Sequence, residues 1–277
     1  MLWFHDPACR DNSLVGNKGS WLARLSQRGF DVPPGFCLTI EALQRPLDQW
    51  ASAMEAALAE LPPPWAVRSS STAEDSKGAA FPGLFTTVLD VGDRSSAIEA
   101  AVLIATRRND ESVVRYAESR GIGSETIRMG VIVQTMVPAD SAGVAFSRDP
   151  ISGAEVVCVE ANYGLGETVV DGSVTPDEYC VDTEDRIVQR RIGSKKEKVV
   201  TTTSGTRLRR LPTSARERAK CVLNDDQVLL VAGLARRLDQ ETRQAIDLEW
   251  AFVDGRLALL QARPITTLPT STNLESH

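Results

Sequence analysis

The apolar residues of this 277-residue chain change their spacing near Met129, and this change limits the folds available to it. Before Met129, apolar side chains recur at helical spacing, as in the stripe from Leu43 to Leu61 that the prolines at 62–64 end. After Met129, short segments such as "GVIVQTMV" and "AIDLEWAF" have the composition and alternation of strands, with Gly, Pro and Asp between them. This pattern predicts an α+β fold.

The length of the chain allows two lobes around a shared cleft. We predict a first lobe over residues 1–92 and a second lobe over residues 93–268. Residues 269–277 are small, polar and without periodicity, which is typical of a linker.

Composition excludes several classes of protein. No apolar run approaches the roughly 18 residues that span a bilayer, and the first residues lack a secretory signal, so we expect a cytoplasmic protein without a membrane partner. His5 and His277 stand at the two ends, which argues against most histidine chemistry within the chain. An odd number of cysteines without a CxxC pair indicates free thiols in a reducing compartment rather than a zinc site; they are Cys9, Cys37, Cys158, Cys180 and Cys221.

A basic segment, residues 186–220, carries twelve Lys or Arg and two Glu, a net charge of +10 in a chain of net charge -6. Such a segment can bind nucleic acid, or it can be a solvated hairpin beside an anionic ligand. We favour the second interpretation and expect no nucleic-acid partner, because no aromatic residues lie among the basic ones.

Three stretches have the residue types of a phosphate site. In "WAVRSSSTAEDS", Arg68 offers a planar fork of donors, and the residues 69–72 could add an anion-binding nest. In "VGNKGS", Lys18 lies between two glycines at the start of a predicted helix. In "FPGLFTT", Gly83 suits a loop that closes over a nucleotide. Each stretch alone is equally typical of a capped helix, a serine-rich turn or a hairpin, and only their combination indicates a phosphate ligand.

Two common glycine-rich nucleotide-binding motifs are absent from the sequence. It contains no GxxxxGK[ST] sequence, and "YGLGET" departs from the dinucleotide fingerprint because Val169 stands where the third glycine is needed.

The ordered set of motifs resembles the ATP-grasp nucleotide-binding domain of the phosphoenolpyruvate synthase, pyruvate phosphate dikinase and rifampin phosphotransferase family. The resemblance extends from about Gly16 to Thr266. It implies an ATP-grasp fold, with two lobes and the nucleotide between them, and a requirement for ATP and Mg²⁺. The motifs are "GNKGSWLARL", "VPPGF", "AVRSSSTAED", "FPGLFTTVLDV", "VIVQTMV", "AGVAFSRDP", "VEANYGLGETVVDGSVTPDEY" and "DLEWAF" with "LALLQARPIT".

The resemblance implies a group of residues at the ATP phosphates. Lys18, Arg68 and Arg263 would contact the phosphates and act in catalysis. Gly83 and Thr87 would belong to the loop that covers them. Thr87 is also ordinary for a surface strand, and the residues before it, "LFT", are less polar than the family's usual loop.

The resemblance also implies residues for the base and the cation. Gln134 would lie on the strand that meets adenine, with the backbone of Met136 and Val137 reading the edge of the base. Glu249 and Gln261 would hold magnesium and the ribose or phosphate side of the nucleotide, and their oxygen atoms suit that ion. Gln134 is equally typical of a strand residue with no ligand.

The closing strands tie this metal assignment to a register. If a two-residue turn at 254–255 joins two regular strands, Gln261 lies on the apolar face and cannot share a cation with Glu249. An odd-length loop or an equivalent bulge sets Glu249 opposite Gln261 and brings Asp247 to Arg263. We predict this second arrangement.

Three functions follow from the resemblance. The first is a Mg-ATP-dependent phosphotransferase that passes the β-phosphoryl group to a histidine on a separate carrier domain or to a small-molecule acceptor, giving AMP and phosphate. The second is a stand-alone ATP-grasp kinase or ligase that makes ADP, and the third is a non-catalytic nucleotide-binding subunit. We favour an active enzyme because the phosphate and cation residues implied by the family are all present.

Overall fold

The computed structural model describes residues 1–72, 86–107, 128–201, 208–266 and 268. The chain forms two compact units. The first comprises Met1–Met136 with Thr201–Arg207, and the second comprises Val137–Val200 with Leu208–His277. The tail predicted at 269–277 lies outside the described residues.

Within the residues that the structure describes, the first unit contains an antiparallel sheet and three α-helices. Its elements are β1 (Leu2–Trp3), α1 (Asn12–Gln27), β2 (Gly35–Leu38), α2 (Leu47–Glu60), β3 (Trp65–Ser71), β4 (Thr87–Val91), α3 (Arg94–Arg107) and β5 (Met129–Thr135), with short 3-10 helices at Pro7–Arg10 and Ala42–Gln44. The strand order is β1-β2-β5-β3-β4.

Both faces of this sheet are covered. Val131 and Val133 of β5 lie in a core with Leu58 of α2 and Ile104 of α3, while Ile132 lies in a second core on the side of α1. A strand buried on both faces reads as a continuous apolar run, which is why "GVIV" does not alternate. α2 begins only at Leu47, because Pro46 precedes its first turn.

The predicted lobe boundary at residue 92 differs from the observed division. β5 lies between β2 and β3 in the first sheet, and α3 packs on the same sheet, so residues 93–136 belong to the first unit. The change of periodicity at Met129 marks a new kind of element, whereas the unit ends only after the strand that completes the first sheet.

After Met136 the chain forms a second sheet and its helices. The elements are β6 (Ser141–Phe146), β7 (Val157–Tyr163), α4 (Glu167–Val170), β8 (Asp177–Val181), β9 (Ile187–Arg191), β10 (Glu197–Thr201), β11 (Leu208–Pro212), α5 (Ala215–Arg218), α6 (Asp225–Thr242), β12 (Ile246–Val253) and β13 (Arg256–Pro264). Six of these strands form an antiparallel sheet in the order β13-β12-β6-β7-β8-β9, and β10 pairs with β11.

The second sheet has one apolar and one polar face. Alternate residues of its strands, such as Val159, Tyr179 and Trp250, are buried, and α6 packs against this sheet. A capping box between Asn224 and Gln227 starts α6 and satisfies its first amides. The intervening residues carry the charged side chains to the opposite face. The mixture of helices and antiparallel strands confirms the predicted α+β class.

Within the described ranges, none of the helices combines the length and the apolar character that crossing a bilayer would require.

Candidate functional site

The hairpin of β12 and β13 has a two-residue turn. Asp254 and Gly255 both adopt positive φ, 49° and 77°, and Val253 pairs with Arg256. Positive φ at both central positions is the geometry of a type I′ turn, which asparagine, aspartate and glycine tolerate best. In a regular hairpin this turn would send Gln261 to the apolar face.

A bulge in β13 corrects the register. Trp250 pairs with Leu259, but the next residue of β12, Glu249, pairs with Gln261, so Leu260 is the extra residue. A single extra residue exchanges the faces of every residue beyond it. The predicted alignment of Glu249 with Gln261 is therefore confirmed, and it arises from a bulge rather than from a longer loop.

The same register brings Asp247 opposite Arg263. The Arg263 Nε atom donates a hydrogen bond to Asp247 Oδ2 at 2.8 Å, and the Arg263 Nη2 atom also lies 2.8 Å from that oxygen. Asp247 is mostly buried, whereas the Arg263 side chain is 48% exposed. The buried carboxylate therefore fixes the direction of an arginine whose charged group still reaches solvent.

The side chains of Asp247, Glu249, Gln261 and Arg263 line one cavity of about 180 Å³ in the second unit. Its remaining wall is mostly apolar. The lining residues are Val144, Phe146, Glu160, Val169, Val170, Asp247, Glu249, Gln261 and Arg263. Their common placement follows from the sheet register, because Val144 pairs with both Glu249 and Glu160, and Phe146 pairs with Asp247.

Glu160 is a cavity residue that the sequence interpretation missed. It lies directly opposite Glu178, whose carboxylate is bonded by Arg191. Burial, together with the like charge of Glu178, raises the pKa of Glu160. Alternation in "VVCVEANY" could have placed Glu160 on the polar face, but only the neighbouring strands show that this face lines a cavity.

In the first unit, the residues around Lys18 form a turn within α1. Gly16 has φ 77° and interrupts the helical geometry. A Cβ atom on Gly16 would lie 2.2 Å from the Ser70 carbonyl oxygen, so only glycine fits here. The Gly19 amide donates to Ser70 Oγ at 3.0 Å. Ser70 of β3 therefore packs against the Lys18 turn and stabilises it through this hydrogen bond.

The predicted anion nest at residues 69–72 is wrong. Ser69, Ser70 and Ser71 are buried in β3, where they pair with β5. The Ser69 amide donates to the Thr86 carbonyl, and Ser70 Oγ accepts from Gly19. The extended strand thus takes up the Ser69 amide in pairing, and Ser70 Oγ supports the lysine turn.

Arg68 and Thr87 share a sheet face with that turn. Arg68 pairs with Ile132 on one side and with Thr87 on the other, and Ile132 belongs to the core beneath α1. Because directly paired residues project from the same face, Arg68, Thr87 and Ser70 lie on the α1 side of the sheet. Gly83 lies outside the described residues.

The residues proposed for adenine have structural partners of their own. Gln134 is buried, and its amide donates to the Pro33 carbonyl at 3.2 Å. The Met136 amide donates to the Pro64 carbonyl at 2.9 Å, and the Val137 carbonyl accepts from the Ala139 amide. In this structure the Met136 amide is therefore paired with the protein, and its use in reading adenine stays a prediction.

The basic segment is extensively paired with acids of its own unit. Its strands β9, β10 and β11 contribute most of these pairs. They join Arg190 to Asp225, Arg191 to Glu178, Lys195 to Asp177, Lys198 to Glu217, and Arg210 to both Asp171 and Glu197. This pairing offsets much of the local charge, and the absence of a nucleic-acid partner stays a prediction.

Comparison with known proteins finds one matching family model and several similar, longer proteins. Residues 41–277 match the model described as "Pyruvate phosphate dikinase, AMP/ATP-binding domain". A rifampicin phosphotransferase of Streptomyces sviceus is 32% identical over 96% of this chain and 36% of its own length. A probable phosphoenolpyruvate synthase of Methanothermobacter thermautotrophicus is 28% identical over 98% of this chain and 47% of its own length.

The chain thus spans between about a third and a half of the length of these relatives. Among solved structures, ACD1 of Ca. Korarchaeum cryptofilum in complex with coenzyme A aligns at 14% identity with a TM-score of 0.45, covering 89% of this chain and 91% of that one.

Proposed function

Because the chain belongs to the pyruvate phosphate dikinase AMP/ATP-binding domain family, we propose that it binds ATP with Mg²⁺ and transfers a phosphoryl group from it. The observation that carries this proposal is the bulge that sets Glu249 opposite Gln261 in one cavity with Asp247 and Arg263. A one-residue change would scatter these side chains over two faces.

The donor atoms in this cavity fit magnesium. Glu249 supplies carboxylate oxygens and Gln261 an amide oxygen, and magnesium prefers oxygen ligands while keeping several waters. The sides of the cavity formed by Val144 and Phe146 offer no competing charge. When bound, the ion would neutralise charge on the phosphates and orient them.

The cationic side chains would then meet the phosphates. Arg263, directed by Asp247, presents guanidinium donors that match phosphate oxygens. Lys18, on its glycine turn, and Arg68, on the same sheet face of the first unit, would provide two further positive charges. Thr87 pairs with Arg68 and would extend that surface. Such positioning and charge stabilisation account for most of the catalysis of phosphoryl transfer.

For the reaction, we infer transfer of the β-phosphoryl group of ATP, with AMP and phosphate as products. The acceptor would be a histidine on a separate carrier domain or a small molecule. The names of the relatives, a phosphotransferase and a synthase, support phosphoryl chemistry of this kind.

Calorimetry and product analysis test this function in two steps. Titration of the chain with ATP, with and without Mg²⁺, should show binding that depends on the cation and is lost in a Glu249→Gln, Gln261→Ala double variant. Incubation with labelled ATP and a candidate carrier should then give AMP. Formation of ADP would favour the kinase or ligase alternative, binding without turnover would favour the non-catalytic one, and absence of ATP binding would contradict all three.

A further inference from the structure

Two cysteines lie directly opposite each other on neighbouring strands of the second sheet. Cys158 of β7 pairs with Cys180 of β8, and their Sγ atoms are 4.0 Å apart. Both side chains are partly exposed. They lie on the polar face, where Cys158 also pairs with Phe146, a residue of the cavity described above.

The hydrogen-bond pattern of β7 gives the type of this pair. The Gly164 amide donates to the Asp140 carbonyl, so the even-numbered residues of this strand direct their backbone groups toward β6. Cys158 is even-numbered and in regular register with β6. It is therefore not hydrogen-bonded to β8, and Cys158 and Cys180 form a non-hydrogen-bonded pair. In such pairs the side chains are closest and the Cα atoms are about 4.5 Å apart. This Cα–Cα distance is inside the range of about 4.4 to 6.8 Å found for disulfides.

We propose that Cys158 and Cys180 form a reversible thiol-oxidation site that low-molecular-weight disulfides convert to a cross-strand disulfide. The Cys180 thiolate attacks one sulfur of the small disulfide, and one small thiol leaves. Cys158 then attacks the sulfur of Cys180 in this mixed disulfide, and the second small thiol leaves. Two protein thiols are oxidised and one disulfide is reduced to two thiols, so atoms and electrons balance.

The local charges set the order and the speed of these steps. Burial raises the pKa of Cys158 to about 12, and it also raises the pKa of Cys180, where the contact with the Cys158 thiol partly offsets it. The acids near the pair, which also disfavour a thiolate, are Asp149, Glu160 and Glu178. Cys180 is therefore the attacking thiol, and the oxidation is slow at neutral pH and faster at alkaline pH.

The first unit contains a second pair of neighbouring cysteines that serves as an internal control. Cys9 and Cys37 have Sγ atoms 3.8 Å apart, slightly closer than the Cys158 and Cys180 pair. Both are fully buried, with 0% exposure. If access as well as proximity decides oxidation, this pair stays reduced in the folded chain while Cys158 and Cys180 react.

Peptide mapping tests the proposal on the unmodified full chain. The folded protein is incubated with glutathione disulfide at mildly alkaline pH, and the remaining thiols are alkylated. Trypsin leaves Cys158 and Cys180 in one peptide, so cleavage after glutamate is needed, because Glu160, Glu167 and Glu178 separate the two cysteines. We expect a cross-linked pair of peptides, the loss of two of the five free thiols, and the return of both after treatment with dithiothreitol.

Two variants distinguish the named pair from its neighbours. Cys180→Ser should abolish the cross-link, while Cys221→Ser, which removes the other partly exposed thiol of the second unit, should leave it unchanged. The proposal is overturned if the folded wild-type chain forms no Cys158 and Cys180 cross-link under conditions that oxidise the urea-unfolded chain. It is also overturned if Cys9 and Cys37 are oxidised first, or if Cys221 is the partner. Because the wild-type mapping needs no variant, the test remains decisive if a substitution prevents folding.

Discussion

Asp247 Oδ2 receives the Arg263 Nε hydrogen bond at 2.8 Å across the β12 and β13 pair, three positions beyond the bulge at Leu260. The bond exists only because the bulge in β13 returns Arg263 to the polar face, where Asp247 already lies. It joins the local geometry of a hairpin to the direction of a side chain that we assign to the ATP phosphates.

We expect Asp247→Asn to weaken Mg-ATP binding. The substitution removes the charge that directs Arg263, and charge-assisted hydrogen bonds contribute about 1.5 to 3 kcal/mol, or roughly ten- to hundredfold in affinity. Calorimetric titration measures this loss. The matched control is Asp254→Asn, an acid-to-amide change in the turn of the same hairpin, where asparagine also tolerates positive φ. Equal affinity of both variants would show that Asp247 does not act on the phosphate site.

Lys18→Ala and Arg68→Ala should each fold and lose ATP affinity by a similar factor. Lys18 lies on α1, and Arg68 lies on the face of the first sheet that packs toward α1 and also carries Thr87, so each variant removes one positive charge from this side. Arg45→Ala serves as the control, because its exposed ion pair with Glu41 lies in the same unit but at a surface helix. Unchanged Mg-ATP binding in both site variants, measured by calorimetry, would refute their assignment to the phosphates.

Asp90→Asn should stabilise the first unit at neutral pH. Asp90 has φ 59°, a conformation that asparagine also accepts, and both carboxylate oxygens are buried without a hydrogen-bond partner among the described residues. Burial raises the pKa of Asp90, so the wild-type protein is more stable where this carboxyl is protonated and loses that contribution as the pH rises through the raised pKa. We expect a gain of about 1 kcal/mol at neutral pH, measured by urea unfolding. The gain should vanish in acid, and a pH-independent difference would contradict this explanation.

Glu217 should give stability a pH dependence opposite in sign to that of Asp90. Its hydrogen bond from Lys198, with those from the cap residue Ser214, lowers the pKa of Glu217 from 4.5 to about 2. A carboxyl with a lowered pKa stabilises the folded state above its unfolded pKa, and this contribution is lost as the pH falls from about 4.5 to about 2. Glu217→Gln should therefore be less stable at neutral pH and should show a smaller fall in stability over this interval. Parallel acid titrations of the two proteins, followed by circular dichroism, compare the slopes.

The buried ion pair of Lys195 and Asp177 should be sensitive to the loss of one partner. Both side chains have 0% exposure, and Asp177 also accepts hydrogen bonds from the Gly193 and Val222 amides. Lys195→Met leaves a buried carboxylate without its cation, for which we expect a loss of about 3 to 5 kcal/mol in unfolding free energy. Lys195→Met combined with Asp177→Asn should recover part of this loss, since the uncompensated charge is gone. A double variant that is as unstable as the sum of the two single ones would show that charge pairing is not the cause.

The amino-acid sequence by itself determined the polar and apolar faces of alternating strands such as β12, the α+β class and the motifs that identify the family. The alternation in "AIDLEWAF" placed Asp247 and Glu249 together, because side chains of a strand project alternately whatever surrounds it. Register is different, since it depends on the partner strand. The Asp254 and Gly255 turn alone would have separated Glu249 from Gln261, and only the bulge at Leu260 reunites them.

Tertiary structure also decided the roles of the serines and the end of the first unit. The serines at 69–71 have the composition of a phosphate loop, but β4 and β5 on either side of β3 take up its backbone groups, and Ser70 supports the Lys18 turn instead. β5 begins where the periodicity changes but completes the first sheet, and Cys158 meets Cys180 through pairing of separate strands. Local sequence sets how a segment projects its side chains, whereas long-range strand pairing sets which of them meet, because burial and hydrogen-bond satisfaction are properties of the assembled sheet.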